Sequence, residues 1–142
     1  MFNISLNLHD NSKVNYDLEG KITIEDFEEK IFVTIDDWKI TDYIKQWKNA
    51  CKSLEKKQNS AFITTYIKTD NHCNEIWPAF YTEKGIFIQN RVIPQNSINP
   101  FEPNNLAPYI NNFYTDNEDE DKLSTWKTNL ESINDFKKRL NI

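Results

Sequence analysis

The sequence predicts an α+β fold: an antiparallel β-sheet of about six or more strands, packed with one long central helix (about 41–57) and a C-terminal helix (about 132–140). Three observations carry this. Short runs rich in β-branched and aromatic residues recur along the chain, one strong amphipathic stripe lies near its middle, and strands and helices do not alternate in the regular βαβ manner. At 142 residues, positions 1–142 read as a single domain, large enough to close one core without disulfide staples. Nine Phe, six Tyr and four Trp, each able to bury about 200 Å², are the natural filling of that core.

The run FNISLNL (2–8) places Phe2, Ile4, Leu6 and Leu8 on one face of a first strand. VNYDL (14–18) and KITIE (21–25) read as two short strands turning at Gly20, and KIFVTI (30–35) as another, closed by Asp36 and Asp37. The helix at 41–57 is marked by Ile40, Tyr43, Ile44, Trp47, Ala50, Cys51 and Leu54 on one stripe, with Thr41 or Asp42 to cap its start. Lysines crowd its end, where the helix dipole favours cations. AFITTYIK (61–68) is the next strand.

EIWPAFYT (75–82) and IFIQNRVI (86–93) then form a hairpin through Thr82, Glu83 and Lys84, with Gly85 free to adopt a positive φ. Pro78 has no N–H for a ladder, which places its strand at an edge or a bulge. Both faces of this hairpin are apolar. The expected cover is the central helix on one side and, on the other, the 124–130 strand or the Pro- and Asn-rich stretch 94–108, anchored by Phe101 and Leu106. Tyr109, Ile110, Phe113 and Tyr114 fit a short helix or an extended segment. STWKTNL (124–130) alternates as a last strand, and Ser132 with Asp135 suggests a capping box for SINDFKKRL. A single helix over 123–140 is the competing parse.

The residues offer little for bond-making chemistry. Glycines stand at 20 and 85 alone, so a glycine-rich phosphate cradle is excluded, and no GxSxG is present. His9, His72, Cys51 and Cys73 lack the paired spacing of a zinc site. Cys51 falls on the apolar helix stripe as a structural thiol, and His72 and Cys73 read as loop surface. Two cysteines suit a reducing compartment. A net charge of −5 repels phosphate backbones, so the expected partner is a basic protein and not a nucleic acid. No apolar run is long enough to span a membrane, and the N-terminal residues lack signal-peptide character. The protein therefore reads as cytoplasmic, without cofactor or metal.

The helix YIKQWKNACKSL, the strand SAFITTYI, the aromatic WPAFY followed by EKGIFIQN, the Pro/Asn loop with Phe101, and a late S-T-W before the terminal helix occur in one order. In that order they resemble immunity proteins of bacterial contact-dependent growth inhibition (CDI) systems, over about residues 38 to 140. Thr125 departs from the pattern, which has an acidic residue beside the Trp. The resemblance implies a protein without enzymatic activity that binds and neutralises the C-terminal toxin domain of its cognate effector in the cytoplasm, the toxin being a basic nuclease. No catalytic residues transfer. On this reading Asp36, Asp37, Asp116, Glu118, Asp119, Glu120 and Asp121 steer the toxin, and Tyr114 anchors it. The alternatives are a cytosolic protein-interaction module unrelated to toxins and a small nuclease-type enzyme.

Overall fold

Alternation at the start of the chain produces strand β1 (Phe2–Leu6), with Phe2 and Ile4 buried. The structure is a computed structural model that describes residues 1–7, 17–110 and 124–140. β1 pairs antiparallel with β2 (Asp17–Ile24), and β2 with β3 (Phe27–Thr34). Gly20 does not turn the chain, contrary to the sequence reading. It sits inside one continuous strand, opposite Leu6 and Ile31. The turn falls at Glu25–Asp26, and Glu25 takes a positive φ of 54°. Gly20 is needed for close backbone approach, because a Cβ there would meet the Ser5 carbonyl oxygen at 2.5 Å. β3 also begins three residues ahead of the predicted run.

Helix α1 (Ile40–Glu55) buries Tyr43, Trp47, Ala50, Cys51 and Leu54. Its N-cap is Lys39, two or three residues earlier than the expected Thr41 or Asp42, and the Asp42 carboxylate accepts the Lys39 N–H at 2.9 Å. The helix lies along β4 (Ser60–Thr65), the border strand of the second sheet. Its side chains take the place of a neighbouring strand. Gln46 Nε2 donates to the Ala61 carbonyl (2.7 Å) and Gln46 Oε1 accepts from the Ile63 N–H (2.9 Å). Trp47 Nε1 donates to the Ile63 carbonyl (2.8 Å), and the Tyr43 hydroxyl accepts from the Tyr66 N–H (2.9 Å).

The aromatic hairpin forms as β5 (Cys73–Thr82) and β6 (Gly85–Gln89), joined across Thr82 and Gly85. β7 (Arg91–Pro94) continues along β5 in the same register, since Ala79 faces Ile88 and Ile76 faces Arg91. The ladder lapses at Pro78, which has no N–H to offer. Pro78 is at neither an edge nor a bulge: its strand is central, flanked by β4 on one side and by β6 and β7 on the other. Residues 124–130 do not cover the hairpin but extend its sheet as β8 (Thr125–Thr128), paired with β6.

Among the described residues the strands thus divide into antiparallel sheets of three and five. Paired residues share a face, so Phe62, Trp77, Ala79, Ile88 and Trp126 point one way and Ala61, Ile63, Ile76, Pro78 and Phe80 the other. The first face meets the three-stranded sheet and the last helix. Phe2 packs on Phe62 with centroids 4.9 Å apart, and Phe27 stacks on Trp126 at 4.1 Å. The second face is covered from the Pro/Asn-rich stretch. Phe101 is buried as expected and Leu106 half-buried, and the short helix α2 (Ala107–Ile110) lies against β5. The terminal helix α3 (Leu130–Arg139) is capped by Asn129, whose side chain accepts the Ser132 N–H at 2.8 Å, not by Ser132 and Asp135. Because Trp126 lies on β8, the single-helix parse of 123–140 does not hold.

Replacing Gln46 by Ala should lower stability by about 2 kcal/mol, because it strands an amide and a carbonyl of β4. Asn49→Ala, on the exposed side of the same helix, should stay within about 0.5 kcal/mol. Urea denaturation of the two variants checks the difference.

Candidate partner-binding face

β3 runs directly into Asp36 and Asp37, and both are exposed. Asp37 is held in place: its carboxylate accepts the Lys68 N–H at 2.8 Å, tying this corner to the chain beyond β4. Beside it, Asp17 accepts from the Thr34 hydroxyl at 2.8 Å, and Asp42 caps α1. Three tyrosines report the resulting negative field. Burial raises the pKa of Tyr43 first, and the carboxylates of Asp17, Asp37 and Asp42 add to it. Tyr66 is raised by burial, then by Glu102 and Asp37, and Tyr109 by burial and Glu102.

Over these groups lies half-buried Trp38, its ring 5.1 Å from that of Tyr43 and 5.0 Å from that of Tyr66. A cleft of about 270 Å³ opens next to it, bounded by Trp38, Asp42, Lys45, Gln46 and Asn104. Trp38 thus lies among Asp37, Asp42 and Glu102, whose carboxylates act on the tyrosines beside it, with Lys45 on the cleft wall.

Of the site residues expected from sequence, Asp36 and Asp37 are at this corner. Tyr114, Asp116, Glu118, Asp119, Glu120 and Asp121 lie outside the described residues, as does His9. Sequence reasoning missed Glu102, although its position next to the anchor Phe101 was a usable signal, and it read Asp42 as a cap alone. His72 is exposed, and Cys73 is not loop but the first residue of β5. Among the described residues no three His, Cys, Asp or Glu side chains gather as a metal site, and no helix is long and apolar enough to cross a membrane. Cys51 is buried, and burial, with Glu55 nearby, pushes its thiol up to about 12.

The fold and sequence match characterised proteins. The CdiI N-terminal domain family matches residues 33–136. The chain is 30% identical over 124 residues to the immunity protein CdiI of Enterobacter cloacae subsp. cloacae, covering 86% of each chain. In three dimensions it matches a chain of the CdiA-CT/CdiI toxin and immunity complex from Enterobacter cloacae, with a TM-score of 0.84, 27% identity and 99% coverage of both chains.

Two outcomes are expected from the burial of Cys51 and the tyrosines. A colorimetric thiol reagent should label exposed Cys73 in the native chain and reach buried Cys51 only after denaturation. The tyrosine pKa values are raised by folding, so their contribution to stability is complete below the ordinary value of about 10 and is lost as pH rises through the folded values. Urea midpoints should therefore fall above about pH 10, and Tyr43→Phe should flatten that decline.

Proposed function

The chain belongs to the CdiI N-terminal domain family of contact-dependent growth inhibition immunity proteins, and on that footing we propose that it binds and neutralises the C-terminal toxin domain of a cognate CDI effector inside the producing cell. The observation that carries this reading is the match, over nearly the whole of both chains, to an immunity protein solved together with its toxin. Inhibition then needs a surface and no turnover. Aromatic and aliphatic groups fill the interior, with Cys51 buried among them.

The partner is a basic nuclease on this reading. A protein that grips nucleic acid presents cations to phosphates, and this chain carries a net charge of −5 with Asp36, Asp37, Asp42 and Glu102 around Trp38. Such an arrangement attracts that surface over several ångströms and competes with the substrate for it. Long-range attraction acts mainly on association, whereas the packed anchors decide how long the complex lasts.

The test is binding of the purified chain to the toxin domain encoded beside it, followed by sensor kinetics across a salt series. A tight complex is expected, and failure of the two to associate would overturn the reading. Neutralising Asp36, Asp37, Glu118, Asp119, Glu120 and Asp121 together should slow association about tenfold and flatten its salt dependence, with little change in dissociation. Asn at 37 keeps an acceptor for the Lys68 N–H, so the corner keeps its shape. An unchanged on-rate and salt slope would remove these acids from the interface.

A further inference from the structure

Strand borders are where a sheet can accept another chain, and here some are stoppered. The outer border of β1 meets Arg139, whose guanidinium donates to the Phe2 carbonyl at 2.6 Å. That of β4 is covered by Gln46, Trp47 and Tyr43 of α1. β3 differs. The Phe32 carbonyl accepts from the Thr65 hydroxyl (3.0 Å) and the Thr34 carbonyl from the Tyr43 hydroxyl (2.7 Å), so the even-numbered residues turn their backbone groups away from β2. Among the described residues nothing meets the N–H and C=O of Lys30 or the N–H of Phe32.

A groove of about 280 Å³ runs beside this open border. Phe32 forms one wall; Cys73, Glu75 and Val92 of the second sheet form the other. Phe32 is 56% exposed and Val92 57%, high values for large apolar side chains that face a common groove. Between them sits Glu75. Its carboxylate accepts from the Thr64 hydroxyl (2.6 Å) and the Asn90 amide (3.3 Å), and no cation among the described residues pairs with it. Lys30, the cation at the groove, is bound to Glu19.

We propose that the open border of β3 receives an extended strand of the toxin. The incoming backbone pairs with Lys30 and Phe32, an apolar side chain seats between Phe32 and Val92, and a flanking Lys or Arg meets Glu75. The proposal rests on the toxin-binding function above and adds where and how the partner is held. Charge selects the occupant: a second copy of this chain would bring its own net charge of −5 against Glu75, which pairs with no described cation, whereas a basic strand neutralises it. The border also leads straight into Asp36 and Asp37, so the strand and the acidic corner form one continuous contact.

Lys30→Pro tests this directly. The Lys30 N–H points outward, so proline leaves the β2 ladder intact yet blocks strand addition. Lys30→Gln keeps the backbone and serves as control. With the purified toxin domain, Lys30→Pro and Val92→Asp should each weaken binding by at least about tenfold, while Lys30→Gln stays within about threefold of the parent. In the parent complex, Cys73 should react with the thiol reagent at least about tenfold more slowly than in the free chain, and the Lys30 and Phe32 amides should gain protection from hydrogen exchange. Full-affinity binding by Lys30→Pro with Cys73 still reactive would overturn the strand site while leaving toxin binding standing. A free chain that is dimeric, and that Lys30→Pro renders monomeric, would assign the border to a second copy and overturn it as well. If the parent chain binds no toxin, both readings fall.

Discussion

The structure depends on how the border of β4 is closed. A buried strand whose outer amides and carbonyls found no partner would cost more than its side chains return. Here Gln46 presents one acceptor and one donor in the manner of a peptide group, to Ile63 N–H and Ala61 C=O, with Trp47 and Tyr43 completing the row. This places α1 along the strand with its apolar stripe turned inward, and from that placement the aromatic core is assembled. Tyr43 also accepts at one strand and donates to the Thr34 carbonyl at another, so a single phenol joins the two sheets.

The opposite end of the molecule is joined differently. The Glu25 carboxylate takes the Met1 ammonium at 2.7 Å and the Thr128 hydroxyl at 2.7 Å, with Ser132 at 3.2 Å. One side chain thus ties the first sheet to β8 and to α3, and the ammonium's hydrogen bond, then that of Thr128, holds its pKa below the ordinary carboxylate value. Since this group is largely exposed, its effect is modest. With both ends joined and the interior filled by aromatic rings, the remaining chemistry lies on the outside. The acidic corner at Asp36 and Asp37 and the open border of β3 belong to that outer surface.

Periodicity carried much of the fold. The stripe from Tyr43 to Leu54, the hairpin around Gly85 and the alternation of Phe2 and Ile4 each correspond to a described element, because a buried face imposes its period on the sequence. The misreadings share a different cause. Gly20 serves a backbone approach from another strand, and local sequence cannot distinguish that from a turn. Pro78 is tolerated in a central strand because the ladder lapses at one point, again a property of the partner. Lys39 and Asn129 start their helices by backbone and side-chain geometry that several neighbouring residues could equally have supplied. The division of the strands into two sheets was illegible for the same reason, being decided by Phe2, Phe27, Phe62 and Trp126 meeting across long sequence separations. As for the site, charge and family resemblance pointed to an acidic contact. Glu102 was signalled only by its place beside Phe101, and the groove at Phe32 and Val92 needed the fold, since its residues lie far apart in sequence.

The central claim is that this chain protects a cell by gripping a toxin. Its most direct measurement is a growth competition in which target cells, with or without this chain, face inhibitor cells that deliver the paired effector. Survival of expressing cells, and loss of that survival when the toxin domain is exchanged for an unrelated one, is the predicted result. Equal killing of both targets at confirmed expression of the folded chain would contradict the account.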